Sequence, residues 1–137
     1  MRDRFLLETA RAVSLVSDYP RAHIGCVIAN KGRVVSSGCN SVKTHTLQKR
    51  YNKYRNNDAL QHSMHAETSA IIGFMNLAHR TDIDPKDCTV YIYREWKNGR
   101  LAMARPCPSC MQLLKDTGFK KIVYTTYDGV AKETITQ

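Results

Sequence analysis

A chain of 137 residues, 42% of them apolar, is long enough for one hydrophobic core and too short for two, so a single domain spanning 1–137 is expected. No apolar run approaches the roughly eighteen residues of a membrane-spanning helix, and the charged start at Arg2, Asp3 and Arg4 lacks the apolar core of a signal peptide, which predicts a cytoplasmic protein with no membrane attachment. Twenty-one Lys and Arg against twelve Asp and Glu give a net charge of +9, which suits phosphate-bearing partners from a free nucleotide to a polyanion without choosing between them.

In chain order, residues 2–17 place Leu6, Ala10, Val13 and Val16 on one face, the pattern of an amphipathic helix lying on a sheet, and Asp18-Tyr19-Pro20 ends it. Residues 23–29 and 33–38 are β-rich runs around Asn30-Lys31-Gly32 and read as a hairpin. His23, just before the first run, is a candidate to face a substrate pocket, against the commoner role of a half-exposed residue at a strand edge. Asn40, following Gly38-Cys39, has an amide that can both donate to and accept from a sugar hydroxyl, although asparagine is equally at home in turns.

Between residues 41 and 63 the periodicity fails. Lys43, His45, Lys49, Arg50, Lys53 and Arg55 interleave with Tyr51 and Tyr54, and no acidic residue appears until Asp58. Such a mixture suits phosphate contacts and base stacking. Leu47, Tyr51 and Tyr54 also fall at helical spacing, so a short helix with packed tyrosines is the alternative.

The chemistry-bearing residues follow. His65-Ala66-Glu67 opens a helix carrying Ala66, Ala70, Phe74 and Leu77 at helical spacing. Residues 81–86 form a polar loop, and 88–94 alternate as a strand with Val90 and Ile92 on one face and Tyr91 and Tyr93 on the other. Asn98-Gly99 is a turn that should return residues 101–104 beside that strand, with Trp96 packed at the hairpin or offering a stacking platform. Arg105-Pro106-Cys107-Pro108-Ser109-Cys110 comes next, with Pro108 as a first-turn residue for a helix through Leu113 and Leu114 to Gly118. Arg105 is a candidate for substrate phosphate or for a surface ion pair. Residues 121–126 and 130–136 flank the Tyr127-Asp128-Gly129 turn; too few residues remain for a crossover, so these last strands should pair antiparallel. Tyr127 is a candidate wall for a base or an ordinary turn aromatic.

One imidazole, two thiols and one carboxylate in this order suit a metal centre. A catalytic zinc keeps three protein ligands and leaves the fourth position to water, and His65, Cys107 and Cys110 make three. Two thiolates make the ion's bound water less acidic than in an all-histidine site, so a neighbouring base should help to take its proton, and Glu67 is the candidate. Residues two apart do not share a helix face, so a metal near both His65 and Glu67 sits off the end of a helix. The alternative is a structural zinc closed by a fourth ligand from His62, His79, Cys39 or Cys88. Cys26 lies in an apolar run and reads as a small core residue.

The H-x-E and P-C-x-x-C pair is the signature of zinc-dependent nucleobase deaminases, and with the preceding helix and hairpin the chain resembles the cytidine and deoxycytidylate deaminase superfamily. That resemblance implies a three-layer α/β/α fold with a mixed five-stranded sheet, zinc on His65, Cys107 and Cys110, and Glu67 as proton shuttle. It further implies a sugar contact at Asn40, a base carbonyl held by the Ala66 backbone amide, and a homo-oligomer. The implied activity is that of a hydrolase acting on a cyclic amidine, cytosine to uracil, with a deoxycytidylate-like nucleotide favoured as substrate. Free-nucleoside enzymes of the superfamily usually carry cysteine where this chain has His65. A deaminase of single-stranded DNA or RNA, acting on cytosine or adenine, is the second reading, and a non-catalytic zinc-stabilised binding module is the third.

Overall fold

A computed structural model describes residues 2–19, 22–43, 45–54, 64–78 and 82–136. In chain order it contains α1 (Arg2–Ser14), β1 (Ala22–Asn30), β2 (Arg33–Cys39), α2 (Thr46–Tyr51), α3 (Ala66–Ala78), β3 (Cys88–Trp96), α4 (Pro108–Thr117), β4 (Lys121–Thr125) and β5 (Val130–Thr134). The strands form one mixed sheet in the order β2-β1-β3-β4-β5. Only β3 and β4 run parallel, with α4 in their crossover, and β5 folds back antiparallel on β4 as the short turn requires.

Side chains alternate across this sheet and so divide the core in two. On one side Leu6, Leu7 and Ala10 of α1 pack on Val27, Ala29, Tyr91, Tyr93 and Val123. On the other, Ala66, Ala70, Ile71 and Phe74 of α3 and Leu113 and Leu114 of α4 pack on Cys26, Ile28, Val90, Ile92, Ile122 and Tyr124. Cys26 is fully buried there, as a small core residue. The result is an α/β/α sandwich.

One expectation changes and another is met in part. Helix α1 ends at Ser14, where i to i−3 bonds from Leu15, Val16 and Ser17 tighten the chain, and Val16 is exposed rather than on the packed face. Residues 101–104 return beside β3 only briefly, at the end of the strand beyond Ile92, where its pairing with β4 stops. There Trp96 N–H donates to Arg100 O, an antiparallel bridge joins Leu101 to Glu95 and Ala102 N–H donates to Arg94 O, after which Ala104 N–H donates to Thr125 O. The segment therefore crosses the ends of β3 and β4 and delivers the chain to Cys107.

One glycine sets the position of α3. A Cβ on Gly38 would lie 2.6 Å from Ala70 N and from Ser69 Cβ, so the first turns of α3 sit directly on the β2 backbone. Ser36 Oγ donates to Ala70 O at 2.6 Å and ties the same contact.

Candidate active site

The N-termini of α3 and α4 meet on one side of the sheet. His65 immediately precedes α3, and its backbone N–H donates to Gln48 Oε1 at 3.0 Å. Gln48 is fully buried, and its Nε2 donates to Asn52 Oδ1 at 2.8 Å, so α2 and the following 3-10 turn anchor the histidine. Cys107 is the N-cap of α4 with extended backbone, Pro108 occupies the first turn, and Cys110 lies within that turn. Gly118 ends α4 in the left-handed conformation at φ 107, its N–H reaching Leu114 O and Lys115 O.

This geometry brings three donor atoms together. His65 Nδ1 lies 3.2 Å from Cys110 Sγ and 3.5 Å from Cys107 Sγ, and all three donors are within 4.8 Å of one another. A tetrahedral zinc with ordinary bond lengths separates a nitrogen and a sulfur ligand by about 3.6 Å, so the donor set fits that ion. Among the described residues no fourth His, Cys, Asp or Glu joins the group. Cys39 and Cys88 are therefore not its closing ligands, while His62, His79 and the basic Arg55 lie outside the described residues.

Electrostatics suit thiolate ligation. The first-turn amides of two helices face the group and favour negative charge. Cys107 is drawn down to about 3, chiefly by the hydrogen bond from Cys110 and then by His65, against the cost of its burial. Ser109 Oγ stands 3.2 Å from Cys107 Sγ. Cys110 is pushed the other way, keeping the proton of the pair, by that same bond and by burial. Glu67, in the first turn of α3, is 6% exposed, and burial raises its carboxyl above the usual range, opposed by the neighbouring His65.

A cavity of about 450 Å³ opens over these groups. Its lining includes His65, Glu67, Cys107, Asn40, Arg94 and Trp96. That size is within the range of small-molecule sites.

The family model for the cytidine and deoxycytidylate deaminase zinc-binding region matches residues 1–126. The chain belongs to this deaminase family. Among solved structures, the dCMP deaminase of cyanophage S-TIM5 in apo form has a TM-score of 0.62 at 20% identity, covering 90% of this chain and 82% of that one. The same enzyme in complex with dCMP and dUMP gives 0.61 at 18% identity, covering 90% and 79%. The cytidine deaminase of Burkholderia pseudomallei gives 0.63 at 20% identity, covering 96% and 91%. These likenesses establish a shared fold. No curated protein sequence matches the chain significantly.

Within this deaminase fold the remaining expected residues separate. Asn40 lines the cleft but is heavily committed: Oδ1 accepts from Ile24 N–H and Ser17 Oγ, and Nδ2 donates to Ala22 O. One Nδ2 proton remains, so its amide can donate to a ligand but has no lone pair left to accept. Ala66 is fully buried at the start of α3, where its N–H has no intrahelical acceptor.

Arg105 reaches the cleft wall, yet its Nε and Nη2 each lie 2.9 Å from a Glu133 carboxylate oxygen, so the ion pair expected as its alternative role is present. His23 is not a cleft residue: Ala22 and Ile24 face the cleft, and strand alternation turns His23 to the α1 side. Tyr127 is 65% exposed in the β4–β5 turn and does not line the cleft either. Trp96 does line it, and the Arg94 guanidinium lies 4.9 Å above its ring.

Gln48 and Arg94 carry no sequence signal. Gln48 sits among surface-like basic residues, and Arg94 looks like the polar end of a strand.

Proposed function

We propose that the chain is a zinc-dependent hydrolytic deaminase that converts cytosine to uracil in a deoxycytidylate-like pyrimidine nucleotide. The observation that carries this reading is a buried carboxylate, Glu67, in one cleft with a three-donor His65, Cys107, Cys110 group that lacks a fourth protein donor among the described residues. The dCMP and dUMP bound to the cyanophage dCMP deaminase lend support for a nucleotide. The cysteine usage and the absence of any described helix long and apolar enough to cross a membrane are compatible with a cytoplasmic setting.

Zinc, when bound by His65, Cys107 and Cys110, supplies a Lewis acid that makes water a nucleophile near neutral pH. The chain's own residues do the rest. Glu67 takes a proton from the attacking water and delivers it to the ring nitrogen next to the reacting carbon. The carboxylate then takes the second proton from the oxygen now bonded to the ring carbon and gives it to the departing amino group; the C–N bond breaks as the C=O bond forms, so that cytosine and water yield uracil and ammonia. Burial raises Glu67 toward the range where it can both accept and return a proton. The Ala66 N–H, at the positive end of α3, is the donor for the base carbonyl, and the spare Nδ2 proton of Asn40 is the donor for the sugar.

Ammonia release from deoxycytidylate, cytidylate, deoxycytidine, cytidine and adenosine analogues tests the reading. Turnover is expected with the pyrimidine nucleotides; turnover of none of these monomers would overturn it.

A second reading, action on single-stranded nucleic acid, has one specific observation in its favour. Lys53 Nζ lies 5.2 Å above the half-exposed Tyr54 ring, and Tyr54 and Lys115 line a groove of about 300 Å³ that shares Arg105 with the cleft. A stacking residue beside cations suits a strand leading to the site. Oligonucleotide binding that falls steeply with salt, with turnover confined to oligomers, would favour it.

A further inference from the structure

Two guanidinium groups, Arg94 and Arg105, line the cleft that holds Glu67, and they differ in what they already bind. Arg105 is half exposed and doubly bonded to Glu133 at 2.9 Å, so its charge is matched. Arg94 has no carboxylate partner among the described residues. Its Nη1 makes one long bond to Met103 O at 3.4 Å, and its Nε is buried with no partner there. A guanidinium offers five N–H donors, and a partly buried one with most of them unspent is costly unless an anion arrives.

Its placement is set by the sheet. Arg94 lies two residues beyond Ile92 on β3 and so projects from the face that carries α3, α4 and the metal-binding group. It pairs across the ladder with Ile24, as Trp96 pairs with Ala22, and all four residues line the cleft. The turn at Asn98-Gly99 folds the chain back so that Met103 closes over Arg94, while the Trp96 ring holds the guanidinium plane.

We infer that Arg94, steadied on Trp96, is the specificity residue that takes the 5′-phosphate of the pyrimidine nucleotide. The inference deepens the deaminase reading above and rests on it for the identity of the base. A phosphate monoester is the matching anion because it accepts several N–H bonds at once, which the planar fork of Arg94 can supply.

Trp96 is the single tryptophan of the chain, so its fluorescence reports on this corner of the cleft directly. The experiment titrates zinc-loaded wild type, Arg94→Gln and Arg94→Lys with deoxycytidylate, deoxycytidine and a short cytosine-containing oligonucleotide. Fluorescence is followed, calorimetry serves as a second measure of affinity, and ammonia release is recorded in parallel. The expected result is that Arg94→Gln lowers the preference for deoxycytidylate over deoxycytidine roughly 10- to 150-fold, the span of a hydrogen bond to a charged group. Arg94→Lys is expected to lie between.

Equal losses for nucleotide and nucleoside would show a merely structural role and overturn the inference, as would no deoxycytidylate binding by wild type. A loss confined to the oligonucleotide would overturn it in favour of a strand-binding role. The two readings can fail separately. Deoxycytidylate that binds through Arg94 but is not deaminated sinks the reaction and leaves the phosphate site standing; deaminated deoxycytidylate with an unchanged preference in Arg94→Gln does the reverse.

Discussion

The side-chain oxygen of Gln48 holds the backbone N–H of His65 at 3.0 Å, across seventeen residues of sequence. This member of the three-donor group is thus fixed from behind by α2, whose exposed side carries Lys49 and Arg50. Replacing Gln48 by leucine leaves the His65 N–H and the Asn52 side chain without these partners. A loss of about 1–3 kcal/mol in stability is expected from the stranded groups, together with weaker zinc retention. Chemical denaturation and competition with a zinc chelator measure the two effects.

Glu67→Gln keeps shape and hydrogen bonding but cannot accept a proton. Turnover should fall at least about 10²-fold, the lower range for general acid–base catalysis, with zinc content and thermal midpoint close to wild type. Activity that survives the change would indicate a non-catalytic role for the zinc group.

Metal content should couple α3 to α4, since His65 adjoins one helix and the two cysteines open the other. Zinc returned to chelator-treated protein is expected to raise the unfolding midpoint with the logarithm of free zinc, amounting to about 2.7 kcal/mol at one hundred times its Kd. Cys110→Ser should flatten that dependence in a calorimetric scan.

Gly38→Ala forces a methyl group against Ala70 N and Ser69. A destabilisation of about 1–3 kcal/mol is expected from overpacking, and because α3 must shift, zinc affinity should fall with it. Gly99→Ala is the control: nothing lies within 4 Å of the added methyl, so only the cost of its positive φ remains.

The Glu133 carboxyl is held below its ordinary 4.5 by the Arg105 guanidinium first and the Tyr124 hydroxyl second. A depressed carboxylate contributes stability that is complete above its unfolded value and is lost as pH falls through the folded one. The thermal midpoint of wild type should therefore decline below about pH 5, and Glu133→Gln should decline less. Asp3 and Asp116 are lowered by their own partners in the same way, so the difference between the two proteins, rather than either curve, carries the test.

Much of this architecture is legible in the chain itself, because local rules decide it. Lys31 and Gly32, both at positive φ, turn the first hairpin, and Gly118 stops α4. The few residues between β4 and β5 leave only antiparallel pairing. The clustering of His65, Cys107 and Cys110 is legible because a zinc centre allows few residue types at fixed spacing. What escapes is set by tertiary contact. His23 is one residue out of phase with its cleft-facing neighbours, a matter of strand register that one polar residue cannot reveal. Arg105 is claimed by Glu133 from twenty-eight positions away, and nothing near Arg94 in sequence shows that it has no carboxylate partner among the described residues. Residues 101–104 pair with β3 only briefly because β4, encoded later, takes its edge from Thr89 to Ile92.

The reversal at β5 carries the chain away from the cleft. Thr134 stands beside Lys121, which stands beside Thr89, five positions down β3 from Arg94 and roughly 17 Å from the substrate mouth. A surface linker attached at the exposed Thr134 would therefore leave from the opposite rim, so the protein could be immobilised there with the opening turned to solution.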